Sequence, residues 1–194
     1  MANGTFFFGT HANHLYAVGT ETGEEKWKFK TGSAVLSSPA IVDNTVYLGS
    51  WEGFVYAVEA DTGSEIWRFK TNDRIWSSPA IANGSLYIGS DDRNLYSIDL
   101  ATREERRRFA TGDWVSATPA VSDGSVFFGS FDWNIYAVDA ATGRERWRFS
   151  TGAPIYSSPT VANGVLYSGS HDGNLYPWTS PLGRKSGGSS PKIK

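Results

Sequence analysis

The sequence predicts an all-β fold, a β-propeller of four-stranded blades with four to five blades in this chain, and three observations carry the prediction. A Gly-Ser or Gly-Thr dipeptide recurs every 40 residues without an insertion, at Gly9-Thr10, Gly49-Ser50, Gly89-Ser90, Gly129-Ser130 and Gly169-Ser170, and a fixed period of that size marks a repeat architecture. Each unit reads as short apolar runs split by turn residues, with no sustained helical period anywhere. Runs of the Val46-Tyr47-Leu48 type are apolar on both sides of the pleat, as in a sheet covered on both faces. A four-stranded unit of 40 residues, sandwiched by its own copies, is a propeller blade.

Within each copy the elements follow in a constant order. Strand a is the SSPAI segment, Ser37 to Ile41 and its equivalents; strand b is NTVYLGS, strand c FVYAVEA and strand d EIWRFKT. The a-to-b connections Asp43-Asn44, Asn83-Gly84, Asp123-Gly124 and Asn163-Gly164 suit two-residue hairpins, because Asn, Asp and Gly accept positive φ. The c-to-d connections Thr22-Gly23, Thr62-Gly63 and Thr142-Gly143 are turns as well. The copies run over 1-32, 33-72, 73-112, 113-152 and 153-180 as one domain, 1-180, and the Gly- and Ser-rich stretch 181-194 reads as a flexible tail. Because the chain opens inside strand b, the expected inventory is four a, five b, five c and four d strands. Pro177, Trp178 and Pro181 are expected to interrupt the last strand c.

Composition narrows the function classes. A chain of 194 residues, 40% hydrophobic, suits one core, and 14% aromatic content excludes disorder over most of its length. Eighteen Lys and Arg against twenty Asp and Glu leave a net charge of -2, which offers no basic footprint for nucleic acid. The absence of Cys removes disulfides, thiolate metal sites and Cys nucleophiles. No apolar run approaches the roughly 20 residues of a membrane span, and the start MANGTFFFGTH lacks the basic and apolar regions of a signal peptide.

The consensus SSPA-x-x-x-G-x-x-Y-x-GS-x-D-G-x-x-Y-A-V-D-A-x-T-G-x-x-x-W-R-F-x-T-G resembles the tryptophan-docking blade of the PQQ-like repeat, the quinoprotein alcohol dehydrogenase-like family, over residues 1-180. The resemblance implies that a Trp of strand d packs between adjacent blades, here Trp27, Trp67 and Trp147. In the third copy that position is Arg107, and Arg103 stands where other copies have Gly, so the stem of Arg107 must seal an interface expected to be the weakest. Relatives commonly close with eight blades, which implies a partial ring or half of an eight-bladed ring, and unpaired strand edges then favour a homodimer or larger assembly. The family spans cofactor-dependent dehydrogenases, non-catalytic scaffolds and domains attached to kinases, and the resemblance admits an extracytoplasmic setting.

Strand topology puts the d-to-a and b-to-c connections on one face and the a-to-b and c-to-d connections on the other. The second face is monotonous between copies. The first varies and collects large aromatics and charges: Trp51, Arg74, Trp76, Trp114, Phe131, Trp133 and Tyr156. It is the candidate ligand face, although these rings also suit the capping of blade ends and the filling of gaps between blades. The Ser-Ser-Pro hydroxyls lack a base and suit inner-strand hydrogen bonding. His11, His14 and His171 lack zinc spacing, and Asp91-Asp92-Arg93-Asn94 reads as a solvated turn without the Gly and terminal Glu of a Ca²⁺ loop. Family dehydrogenases hold their quinone between an aromatic plate and, often, a vicinal disulfide, over a Ca²⁺ bound by Glu, Asn and Asp. An oxidoreductase here would use Trp76 or Trp114 as the plate and Arg74 for carboxylates.

The expectation is therefore a non-catalytic binding or scaffolding module with no catalytic residue, metal or cofactor, whose partner is another protein or a second copy. The alternatives are an oxidoreductase using PQQ and Ca²⁺, or a fragment of one, and a sensory domain of a larger protein.

Overall fold

The structure is a computed structural model and describes residues 4–178; the expected tail at 181-194 lies outside the described residues. The strands form five antiparallel sheets. The first holds β1 (Thr5–Gly9), β2 (His14–Gly19) and β3 (Glu25–Lys30). The second holds β4 (Ala40–Val42), β5 (Thr45–Gly49), β6 (Phe54–Glu59) and β7 (Glu65–Lys70). The third holds β8 (Ala80–Ala82), β9 (Ser85–Gly89), β10 (Asn94–Asp99) and β11 (Glu105–Ala110). The fourth holds β12 (Ala120–Ser122), β13 (Ser125–Gly129), β14 (Asn134–Asp139) and β15 (Glu145–Ser150). The fifth holds β16 (Thr160–Ala162), β17 (Val165–Gly169) and β18 (Leu175–Trp178). Each sheet is a blade, and the innermost strands β4, β8, β12 and β16 touch one another in sequence. Five blades are present, three of them four-stranded and the first and last three-stranded.

The hairpin turns behave as their residues dictate. Asp43 and Asn44 adopt φ of 46° and 60°, and Asn83-Gly84 adopts 50° and 70°, the mirror-image turn that matches strand twist. In the c-to-d turn Gly23, Gly63 and Gly143 lie in the left-handed region, and Arg103 takes the same conformation at φ 67° without the freedom of glycine.

Two local expectations are corrected. Strand a begins at Ala40 rather than Ser37, because Pro39 has no N–H for a ladder and the Ser38 amide is spent on the next blade. The hydroxyls link blades: Ser38 N donates to Ser78 Oγ at 2.8 Å, Ser78 N to Thr118 Oγ1 at 3.2 Å and Thr118 N to Ser158 Oγ at 3.0 Å. At the other end, strand c runs through Pro177 and Trp178, paired as Tyr167↔Pro177 and Leu166↔Trp178. Proline is tolerated there because no described strand flanks the outer side of β18, and Trp178 stacks on Trp147 at 5.3 Å.

A separate apolar core fills each gap between successive blades. The first joins Phe7, Leu15 and Ala17 to Val46, Leu48, Tyr56 and Val58, and the other three repeat that pattern. The Gly-Ser column exists for these gaps. A Cβ at Gly49 would stand 2.2 Å from Ile75 Cγ2, and one at Gly89 would stand 2.1 Å from the Val115 carbonyl oxygen. Glycine thus lets a fully buried aliphatic residue of the next connection drop against strand b. The serine that follows ties the preceding connection, as when Ser90 Oγ donates to the Asp73 and Arg74 carbonyls, both at 3.2 Å.

The docking column is half-buried. Trp27 packs over Gly63 and donates its Nε1 hydrogen to Ala60 O at 3.0 Å. Arg107 occupies the same groove over Gly143 and donates to Ala141 O, yet it is exposed, and a shallow solvent-open cleft lined by Tyr87, Phe109, Val126 and Val138 remains beside it. No cation–π contact of Arg107 occurs among the described residues.

An acidic latch completes each junction. Asp132 Oδ2 accepts from Tyr136 OH at 2.7 Å and from the Gly112 amide of the preceding blade at 2.8 Å. Asp92 and Asp172 repeat the arrangement, and Glu52 accepts from Tyr56 and Gly32. Burial pushes the Tyr56, Tyr96 and Tyr136 phenols up, and their carboxylate acceptors add to the shift.

Candidate binding face

The d-to-a and b-to-c connections meet on one face because backbone bonds sew them together. Trp51, Asp91, Phe131 and His171 donate their amides to the carbonyls of Ala34, Arg74, Trp114 and Pro154 at 2.9, 2.9, 2.9 and 3.1 Å. Each b-to-c residue is thereby held against the connection entering its own blade, and the side chains of Trp51, Asp91 and Phe131 reach Trp76, Ser116 and Tyr156 on the connection that leaves it.

The result is a nearly continuous arc of rings across the five blades. His11 meets Trp51 edge-on at 6.1 Å between centroids, and Trp51 meets Trp76 at 4.4 Å. Trp114 meets Phe131 at 5.3 Å, Phe131 meets Tyr156 at 4.0 Å, and Tyr156 stacks on His171 at 4.1 Å. The Arg74 guanidinium bridges the two halves, 5.9 Å from the Trp51 ring and 5.8 Å from that of Trp114. Trp76, Trp114 and Tyr156 are 40%, 38% and 50% exposed, which is unusual for rings so well supported by neighbours.

Of the seven residues expected on this face, six are brought together, and Trp133 stands apart. It is 52% exposed, makes no ring contact among the described residues, and holds φ of 73°, where Gly53 and Gly173 hold 81°. A bulky residue in the left-handed region is strained.

Asp91 is a correction. Read as part of a solvated turn, it is buried, with its side chain fully enclosed. The arc has an aromatic residue at His11, Trp51, Phe131 and His171, and a carboxylate at the equivalent position in the third blade. Asp91 Oδ1 accepts from Ser116 Oγ at 3.1 Å, whereas Oδ2 lies 3.4 Å from Arg74 Nε without a hydrogen bond. Burial pushes its pKa up, partly offset by Ser116 and Arg74. Ser116 and Asp91 carry no signal in a single sequence beyond breaking an aromatic column.

A quinone over Ca²⁺ would require a cage of acidic and amide side chains. Asp91, the carboxylate within the arc, is committed to Ser116 and Arg74, and among the described residues no three carboxylate or imidazole groups converge. The residues present do not fit that group. No helix among the described residues is long and apolar enough to cross a membrane.

A family model described as outer membrane protein assembly factor BamB matches residues 1–54, 12–110, 51–134 and 107–185. No curated protein matches the sequence at a significant level. Among solved structures, BamB from Moraxella catarrhalis superposes with a TM-score of 0.80 at 19% identity, covering 92% of this chain and 59% of that one. The computationally designed Ika8 protein superposes with a TM-score of 0.82 at 18% identity, covering 92% of this chain and 56% of that one. The chain thus spans less than two thirds of either structure, and the likeness is one of fold.

Proposed function

The chain belongs to the PQQ-like repeat propellers, the family of the outer membrane protein assembly factor BamB, and from that premise we propose that it is a non-catalytic module that binds a protein partner on its aromatic loop face. The observation that carries the proposal is the arc from His11 to His171, whose rings support one another while Trp76, Trp114 and Tyr156 remain open to solvent. Rigid, half-exposed Trp and Tyr lose little entropy on contact and bury large area, which makes them the favoured anchors of interfaces. The role of BamB as an assembly factor is in keeping with a scaffold. No cofactor and no catalytic residue belong to this proposal.

The test compares two kinds of tryptophan. Trp67→Ala empties a docking groove and should cost about 3 kcal/mol, the low end for a large aromatic because the ring is half-buried. Trp76→Ala and Trp114→Ala should cost nearer about 1 kcal/mol in urea melts. Peptides selected from a random display library against the native protein should lose about 2 kcal/mol of affinity on each of the latter two variants. Selected peptides that bind both variants as well as the native chain would overturn the proposal.

The apolar faces of the outermost sheets support self-association as well. Phe6 is 50% exposed on the first blade and Leu175 is 40% exposed on the last, where their equivalents Val46 and Val55 are fully buried between blades. Light scattering should give a dimer or larger at micromolar protein, and Phe6→Ser with Leu175→Ser should give a monomer. A monomer mass for the native chain would refute this part.

A further inference from the structure

We infer that Arg74 is the anchor of a peptide strip, taking an acidic side chain of an extended segment whose neighbouring aromatic residues lie on Trp76 and Trp114. The inference rests on the binding-face reading and names the chemistry of its ligand.

The guanidinium is built for the task. Its nearest carboxylates both approach Nε, Asp91 Oδ2 at 3.4 Å and Asp73 Oδ1 at 4.0 Å. Neither is mobile. Asp91 is enclosed and bonded to Ser116, and Asp73 Oδ1 is spent on the Arg74 amide at 2.8 Å. Arg74 donates no side-chain hydrogen bond among the described residues, yet its side chain is only 43% exposed and is flanked by the Trp51 and Trp114 rings. The nearest carboxylates lie on its Nε side and the two indoles flank it, so Nη1 and Nη2 remain as a planar fork, the geometry that matches a carboxylate bidentately.

An extended peptide is favoured over an enclosed small molecule by shape. The arc is open and runs across all five blades. Cavities lined by Arg107 and Phe109, and by Trp147 and Trp178, lie in the blade interfaces instead. Small-molecule sites are concave and bury most of their ligand, whereas a strip of half-exposed rings suits successive side chains of one chain. Arg74 is the cation at the middle of the arc and its neighbour Asp91 is enclosed, so the matching segment carries an acidic residue between aromatic ones.

The experiment is a titration of the native chain with two synthetic peptides, one alternating Glu with Phe and Tyr, the other identical but with Gln for Glu. Benzoate serves as the small-carboxylate arm. The Glu peptide should bind the native chain about tenfold more tightly than the Gln peptide, the usual scale for a bidentate charged contact. Arg74→Gln should abolish that difference, Arg74→Lys should retain part of it, and Trp114→Ala should weaken both peptides. Melting temperatures of the variants close to the native value exclude unfolding as the cause. Equal affinity of the two peptides for the native chain overturns the inference while leaving the aromatic face as a binding surface. Binding of neither peptide, even at millimolar concentration, overturns both readings. Benzoate binding as tightly as the Glu peptide would overturn the extended-peptide assignment.

Discussion

Replacing Gly89 by Ala should destabilise the protein far more than the same change at Gly169, although the two glycines occupy one column of the repeat. At Gly89 the new Cβ would stand 2.1 Å from the Val115 carbonyl oxygen and 2.6 Å from its Cγ1. An ordinary contact begins at about 3.4 Å, so backbone must retreat by about 1.3 Å. Val115 is fully buried and its amide is tied to Ser90 O at 3.1 Å, so it has no free direction of movement. Overpacking of this kind costs about 1 to 3 kcal/mol, and lifting Val115 out of its core adds up to about 1.5 kcal/mol of lost burial. The sum is about 2.5 to 4.5 kcal/mol when all of that burial is lost. At Gly169 the nearest atom would be Ser157 Oγ at 3.4 Å, and the backbone is outside the left-handed region. Alanine there only restricts the unfolded chain and should stabilise by about 0.4 to 1 kcal/mol. Urea unfolding followed by both circular dichroism and tryptophan fluorescence measures the two changes, the paired probes guarding against blade-wise unfolding of a repeat protein. Equal losses at both positions would refute the steric account of the Gly-Ser column.

Two further outcomes follow from the junctions. Arg107→Trp should stabilise the third interface, because an indole burying about 100 Å² more apolar area than the Arg stem is worth about 2.5 kcal/mol and its Nε1 can donate to Ala140 O as Trp27 does to Ala60 O; a lowered urea midpoint would show that the groove over Gly143 cannot accept the ring. Burial pushes the Asp172 carboxyl up, but the hydrogen bonds from Tyr176, Gly152 and Asn174 outweigh it and hold the pKa at about 2. That contribution is complete above the unfolded value of about 3.9 and is lost as pH falls toward about 2, so melting temperature should drop across that window and Asp172→Asn should flatten the drop; an unchanged acid slope in the variant would refute the latch.

The repeat, its four-stranded unit, the hairpin turns and the face on which the variable loops gather are legible in the residues alone. These are local matters: Asn83-Gly84 takes positive φ wherever it sits, and burial of β9 along its whole length follows from side chains suited to both sides of the pleat. The contacts that the residues alone do not reveal lie between connections distant along the chain. Asp91 looks like any polar turn residue until Ser116, 25 positions away, and Arg74 close over it. Asp92 and Asp132 look like turn formers until they receive the amides of Asn72 and Gly112 from the blade before. Gly89 and Gly169 are indistinguishable in their column, yet only Gly89 has a carbonyl pressed against it. Trp178 reads as an interruption of strand c, yet it pairs with Leu166 and stacks on Trp147 of the blade before. Each of these contacts depends on how one sheet docks against the next, and that docking is set by side-chain volumes shared between two copies, which no single copy contains.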